Sequence, residues 1–344
     1  AGVPRWSPVL EAIDAMSAAE QREAAWVYWK ARALQALARD STDGDAMRAA
    51  ASSLLESIAG QLSFYGGLAS ENLGVPVTLP ARPTQLSAPE REAALRRPGL
   101  TRALQLIALG LRQEGVREWN FSLRGMGDRE LLAAAQLACE REVWDRCINT
   151  SDRTRVEVDM EQRFPTPFRA DVQAHARDTG LDPAYVFGLI RQESRFIVDA
   201  KSNVGAMGLM QIMPATARWT ARKIGLPNYH ADQIADRQTN LKLGTRYLKY
   251  VLDDFGGSLA MAAAAYNAGP SRSRKWREGP VLEAAVWAEN IPFSETRDYV
   301  KKVLSNSAFY AAMLNERPAS LKERLGDVIG PRLAEAPPPE VDLP

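Results

Sequence analysis

From Trp6 to about Asn149 the apolar residues recur every three to four positions, and stretches with strand-like alternation are almost absent. That period restricts the chain to packed helices, an all-α fold, with Gly- and Pro-containing turns between Ala-, Leu-, Glu- and Arg-rich segments. Ser17-Ala18-Ala19-Glu20 has the form of a capping box, in which the hydroxyl and the carboxylate satisfy free amides at opposite ends of a first turn. The apolar run behind it predicts one helix over Ala24 to Ala38. Leu54, Leu55, Ile58 and Leu62 space a second helix, which Phe64-Tyr65-Gly66-Gly67 is expected to close. Val75 to Pro98 holds five prolines and reads as a connecting segment. Helical pattern resumes at Leu100–Arg112, Glu114–Trp119, Leu131–Cys139 and Val143–Ile148. Helix pairs of this size suggest a solenoid-like or superhelical segment.

Two prolines one residue apart, in Arg163-Phe164-Pro165-Thr166-Pro167-Phe168, interrupt the helical pattern and mark a boundary. Further helices are predicted near Ala170–Thr179, Pro183–Glu193, Met213–Ile224, Gln238–Phe255, Ser258–Tyr266, Val281–Glu289 and Ser294–Leu314. The sequence thus divides into a helical superhelix-like and linker region at 1–160, a second helical domain at 161–330, and a Pro-rich tail at 331–344, extended or disordered from Glu335. A chain of 344 residues suits about two domains.

Composition narrows the chemistry. Lys+Arg 43 against Asp+Glu 42 gives a net charge of +1, which supplies no basic field for nucleic acid. The only histidines are His175 and His230, and the only cysteines Cys139 and Cys147, so a His- or Cys-rich metal site is not expected and no cofactor motif stands out. A Ser-His-Asp or Cys-His centre would have to use one of those histidines, and neither lies in a nucleophile motif. Any catalysis is therefore expected to run on carboxylates. No stretch has the length of apolar sequence needed to span a bilayer, and Ala1-Gly2-Val3-Pro4-Arg5-Trp6 lacks the basic and apolar regions of a leader, as a chain with its leader removed would.

One carboxylate stands on an apolar face. Asp182-Pro183 starts a helix on which Val186, Leu189 and Ile190 line one side, and Glu193 falls at the next position of that side. A carboxyl directed at apolar neighbours is expected to hold its proton toward neutrality, as a general acid for a glycosidic oxygen requires. The alternative is that Glu193 ends the helix and turns to solvent, Arg191 or Arg195. Beyond it, Val204 to Pro214 combines Gly205 and Gly208, three methionines and one amide, Gln211: either a close-approach loop beside a ligand or a loop packed under the core. Ala262 to Gly269 is a small-residue helix ending in Tyr266-Asn267, where the tyrosine either meets a partner or caps its own helix.

Together these segments resemble the catalytic domain of the soluble lytic transglycosylases. The resemblance rests on Glu193-Ser194 within Gly188-Leu-Ile-Arg-Gln-Glu-Ser-Arg-Phe196, on Gly208-Leu-Met-Gln211, on Ala265-Tyr-Asn-Ala-Gly269, and on Glu289-Asn-Ile-Pro-Phe-Ser-Glu-Thr-Arg-Asp-Tyr-Val300, in the family's order. It covers roughly 160–315, and Trp26–Arg32 and Ser63–Ala69 resemble the helical and linker domains that precede the catalytic domain in large periplasmic members. Where the family often has Asn-Pro after the first motif, this chain has Ile197-Val198.

The resemblance implies a lysozyme-like, mainly α-helical catalytic domain that cleaves the β-1,4 bond between N-acetylmuramic acid and N-acetylglucosamine, leaving a 1,6-anhydromuramyl end. Two carboxylates serve ordinary glycoside hydrolysis. Here the muramyl 6-hydroxyl would be the nucleophile and one carboxyl would suffice. Glu193 would act as acid and then base, and Tyr266 would hold it. Ser194, Gly208, Met210, Gln211 and Asn267 would line the sugar subsites, with Glu289 and Tyr299 on the far wall, unless Glu289 to Val300 is simply a packing helix. The partners implied are peptidoglycan glycan strands in the bacterial periplasm, with cell-wall synthesis or remodelling proteins as further candidates, and neither nucleic acid nor stable membrane insertion. In that oxidising compartment Cys139 and Cys147 would form either a disulfide or two buried thiols.

Remaining candidates have plainer readings. Asp199, six residues after Glu193, is a candidate second catalytic carboxylate but is read as turn chemistry, Arg272, Arg274, Lys275 and Arg277 as a solvated basic face or a contact for peptide carboxylates, and both histidines as structural or surface residues. The competing functions are a goose-type-lysozyme-like hydrolase and a non-catalytic cell-wall-binding scaffold.

Overall fold

The computed structural model describes residues 5–336, 338–340 and 342–344. The first four residues, on which part of the leader reading rests, lie outside the described residues. Nineteen α-helices, two short 3-10 turns and one pair of two-residue strands form the regular structure among the described residues. No helix among them is long and apolar enough to cross a membrane.

The chain forms two compact units, Ala1–Thr78 with Leu248–Pro344, and Leu79–Tyr247. The division falls inside the Arg237–Asp254 helix, and the first unit draws on both sides of the 160/161 boundary read from the sequence. The reason is visible within that unit, where residues far apart in sequence share hydrogen bonds. The Glu71 carboxylate accepts from the Ser320 hydroxyl at 3.0 Å and from the backbone amides of Leu321 and Lys322. Val77 bridges Ala319 in antiparallel fashion, and Arg32 holds Glu283 with both terminal nitrogens at 2.8 Å. Leu282–Glu283 pairs with Val328–Ile329.

In the same unit the capping box forms as read, with Ser17 N to Glu20 at 2.9 Å and Glu20 N to the Ser17 hydroxyl at 3.3 Å. It caps only a 3-10 turn, because the backbone extends at Glu23 before the helix Ala24–Leu37 begins. Phe64-Tyr65-Gly66-Gly67 corrects the expectation more sharply: it opens the helix Phe64–Asn72, and the preceding helix ends at Ala59. The Ser63 hydroxyl accepts from Gly66 N at 3.1 Å and so caps the new helix. The described part of the tail carries turns and is docked, since Glu340 N donates to Asp254 at 2.8 Å and its carbonyl accepts from Arg274 at 2.9 Å. Pro337 and Val341 of that tail lie outside the described residues.

The Leu79–Tyr247 unit starts from helices that pack around buried Leu100, Leu104, Trp119, Leu131 and Leu137. Trp119 donates its indole N–H to Thr150 at 2.8 Å, so the largest ring of that core leaves no unmet donor. The proline-rich connector contains a helix of its own, Ala88–Leu95, started by a Ser87/Glu90 capping box that sequence reading passed over. Cys139 and Cys147 form a disulfide that joins the helices Asp128–Glu140 and Trp144–Ser151. The Pro165/Pro167 break separates Met160–Arg163 from Arg169–Thr179 as expected.

Candidate functional site

The helix carrying the candidate carboxylate runs over Pro183–Glu193, as its punctuation predicts. Asp182 accepts from Ala184 N at 2.9 Å, and Pro183 occupies the first turn, where a missing N–H costs nothing. Val186, Leu189 and Ile190 are fully buried, and Glu193, the last helical residue, is half-buried. Directly after it, Arg195 and Phe196 both take left-handed backbone conformations, at φ 47° and 65°. Each costs about 1 kcal/mol or more for a residue with a β-carbon. Burial of Phe196 against Phe187, with ring centres 6.1 Å apart, offsets that cost and ends the helix sharply at Glu193.

Arg191 is drawn away from the helix end. Its Nε donates to the Arg163 carbonyl at 2.8 Å, its fork reaches Asp152 at 3.2 Å, and its guanidinium lies 4.4 Å from the Phe164 ring centre. Arg195 is half-buried and its Nε has no hydrogen-bond partner; burial and the neighbouring Arg191 charge depress its pKa.

The Gly208–Gln211 segment is a tight turn closed by reciprocal backbone bonds between Met207 and Ile212, both at 3.0 Å. Gly208 has φ 78° and Gln211 φ 47°. A fully buried side chain, Asn240, pins this turn: it accepts from Met210 N at 2.9 Å and donates to the carbonyls of Met207 at 2.9 Å and Ile234 at 2.8 Å. Met210 then packs so closely on the Arg237–Asp254 helix that a β-carbon at Gly244 would stand 2.3 Å from its sulfur. Met210 is therefore fully buried, with its apolar side chain packed into the core beneath the turn.

The turn and the carboxylate are tied to each other through Ser194. Its hydroxyl donates to the Leu209 carbonyl at 2.8 Å and accepts from Phe196 N at 3.1 Å, so this buried group positions the loop. Gln211 donates its amide to the carbonyls of Ala200 at 3.0 Å and Gly208 at 2.8 Å. Asp199 is exposed in a turn.

The other candidates belong to the first unit. Tyr266 and Asn267 end the helix Leu259–Ala268, whose Ala262 to Ala265 are fully buried; both are half-buried. Asn267 accepts from the buried Thr296 hydroxyl at 2.7 Å. Glu289 accepts from Lys301 at 2.7 Å and from the Tyr65 hydroxyl, and Trp29 donates to that hydroxyl at 3.2 Å. Burial and the Glu289 charge push the Tyr65 phenol well above its ordinary pKa, so it stays a donor. Tyr299 is buried nearby in sequence on Ser294–Asn315. Sequence reading quoted Tyr65 only as part of a motif and missed Lys301 and Asn240; nothing local to these residues signals their distant partners.

The basic run is folded back on the protein: Arg274 pairs with Asp254 at 2.8 Å, and Arg272 donates to the Ala268 carbonyl at 2.8 Å. His175 meets Gln238 at 3.0 Å, and His230 is exposed. No group of acidic, His or Cys residues suited to a metal occurs among the described residues.

The family model of the transglycosylase SLT domain matches residues 171–281, which hold the Glu193 helix, the Gly208–Gln211 turn and Tyr266. The soluble lytic murein transglycosylase L domain matches 93–156, and the soluble lytic transglycosylase helical domain matches 290–319. The soluble lytic murein transglycosylase of Salmonella typhimurium is 32% identical over 311 residues, covering 90% of this chain and 46% of that protein.

The chain belongs to the soluble lytic transglycosylase family.

Its sequence relatives in this family include the soluble lytic murein transglycosylase of Escherichia coli K12, 32% identical over 88% of this chain and 46% of that one. Lytic transglycosylase Slt of Pseudomonas aeruginosa, solved as an inactive variant with Gln in place of one Glu, superposes with a TM-score of 0.83 at 34% identity, covering 95% of this chain and 52% of that one. A 70-kDa soluble lytic transglycosylase in complex with bulgecin A gives 0.76 at 28% identity, over 93% and 50%. This family member spans about half the length of the relatives it matches. The helical-domain match at 290–319 lies in the region that sequence reading gave to the catalytic domain, and the L-domain match lies in the expected linker region.

Proposed function

We propose that the chain carries the peptidoglycan-cleaving activity of a lytic transglycosylase, acting on glycan strands in the bacterial periplasm. The observation that carries this reading is a single half-buried carboxyl, Glu193, at an abruptly ended helix and tied through Ser194 to a rigid, glycine-containing turn. The inactive Glu-to-Gln variant of the Pseudomonas relative supports reliance on one Glu.

In the proposed reaction the Glu193 carboxyl protonates the glycosidic oxygen between N-acetylmuramic acid and N-acetylglucosamine as the C–O bond breaks. The ionised carboxylate then accepts the proton of the muramyl 6-hydroxyl while that oxygen bonds to the anomeric carbon. The product is the 1,6-anhydro sugar, and no water is consumed. Tyr266 would hold Glu193 by a hydrogen bond, the carbonyl oxygen of Gln211 and the side chain of Asn267 would meet substrate, and Ser194 and Met210 would shape the turn from beneath. Glu289 and Tyr299 would complete the wall, and cell-wall synthesis or remodelling proteins would be further partners.

Mass spectrometry of digested sacculi tests the reading. Anhydromuramyl products from the wild type and none from Glu193→Gln are expected. Products heavier by one water would assign hydrolysis of the goose-type lysozyme kind, and binding without cleavage would assign a scaffold.

A further inference from the structure

A cavity of about 510 Å³ in the first unit is lined by Trp6, Tyr28, Arg32, Arg39, Lys322 and Asp327 among others. That volume suits an organic ligand, since small-molecule sites run roughly 300–1,000 Å³, and is far larger than an inorganic ion needs. A proton count around its buried phenol shows which ligand it suits. Lys322 Nζ lies 2.6 Å from Asn72, and because an ammonium only donates, the Asn72 atom facing it is the carbonyl oxygen. The Asn72 amide nitrogen therefore faces Tyr28 and donates to its hydroxyl at 3.1 Å. Arg32 donates to the same oxygen at 3.0 Å. Both lone pairs of the phenol are then filled by donors that cannot accept, and its own hydrogen is left to donate.

The charges round the cavity are not balanced in the same way. Both terminal nitrogens of Arg32 are engaged by Glu283 at 2.8 Å, so that pair is internally neutral. Lys322 and Arg39, both exposed, bring two further cations, the first of them within reach of the Glu71 carboxylate, and Asp327 brings one further carboxylate. Trp6 adds an aromatic face, steadied by Arg32 at 5.9 Å from its ring centre. A neutral sugar would leave these charges unmatched, and a simple anion would leave the Trp6 face and Asp327 unused.

We propose that this cavity binds a short zwitterionic peptide, its carboxylate received by the Tyr28 hydroxyl, Lys322 and Arg39, and its ammonium by Asp327. This goes beyond the activity proposed above and does not depend on the role of Glu193.

The probe is trialanine, compared with its C-terminal amide, its N-acetyl derivative and N-acetylglucosamine, with binding followed by tryptophan fluorescence and by NMR. Trialanine is expected to bind and to perturb Trp6, so that the signal is lost in Trp6→Phe. The amide and the N-acetyl form are expected to bind about tenfold more weakly. Lys322→Met, at an exposed position whose melting temperature should not move, is expected to weaken trialanine about tenfold and to abolish the preference for acid over amide. Tyr28→Phe should do the same where it folds. The proposal is overturned if the amide binds as well as the acid, if Lys322→Met changes neither affinity nor preference, if N-acetylglucosamine binds in preference, or if nothing binds at millimolar concentration.

Discussion

The side-chain nitrogen of Asn240 stands 2.2 Å from the point where a β-carbon on Gly208 would have to lie. The two residues share one small space beneath the turn tied to Glu193, and neither can change alone. Gly208→Ala adds a left-handed alanine to that collision and is expected to destabilise by about 2 kcal/mol or more. Asn240→Ala strips partners from Met210 N and from the Met207 and Ile234 carbonyls. Unsatisfied buried groups cost about 1–3 kcal/mol each, so a loss of at least about 3 kcal/mol is expected in urea unfolding. A variant within 0.5 kcal/mol of wild type, an order-of-magnitude margin for a surface change, would show that the turn is not held this way.

Glu193→Gln keeps the shape of the side chain and removes its proton chemistry. Because the helix is held by Val186, Leu189, Ile190 and the Asp182 cap, the melting temperature should barely change. Turnover of peptidoglycan is expected to fall at least about 100-fold, the scale of a lost general acid–base group. Equal turnover in the two proteins would remove Glu193 from the reaction.

Much of the Glu193 helix was legible because its signals are local: Asp-Pro opens it, and three apolar residues at helical spacing orient it. Asn240 was silent for the opposite reason. Its partners Met207, Met210 and Ile234 lie six to 33 positions away, and only the folded chain brings them to one amide. Tyr65, Lys301 and Glu289 were hidden in the same way, by a separation of 224 residues between phenol and carboxylate. Phe64 to Gly67 misled because two glycines read as a stop. In the fold a β-carbon at Gly66 would stand 2.0 Å from the Gln61 carbonyl and one at Gly67 would stand 2.9 Å from Leu321, so both glycines mark close approach inside a helix start. The division into two compact units has no local signal, because the earliest helices pack with the last ones, a relationship no composition change along the chain records.

The Cys139–Cys147 disulfide closes a loop of eight residues beside the core around Trp119. Loop-closure entropy for so short a loop is about 2–3 kcal/mol. Replacing both cysteines by alanine is therefore expected to lower unfolding free energy by about that much, and mild reduction of the wild type should have a comparable effect. Cleavage of sacculi should survive at temperatures where the variant remains folded. Loss of activity in a folded double variant would give the crosslink a role in the site itself.

Acid should weaken the fold through Glu90 in a window that can be named. Arg129 donates to its carboxylate through Nε at 2.7 Å and through its fork at 2.8 Å, and Ser87 N adds a third bond at 2.7 Å. These donors favour the charged form and push the carboxyl down to about 2 from an ordinary 4.5. A folded pKa below the unfolded one means that the unfolded chain takes up the proton first as pH falls. The stabilisation is therefore complete above about pH 4.5 and is lost progressively toward pH 2. Chemical denaturation across that range should show wild type and Glu90→Gln converging in stability on the acid side and diverging toward neutrality. Added salt should shrink the neutral difference, because Arg129 and Glu90 are both in reach of solvent. A constant difference across the whole window would mean that the variant's effect does not come from the charge of Glu90.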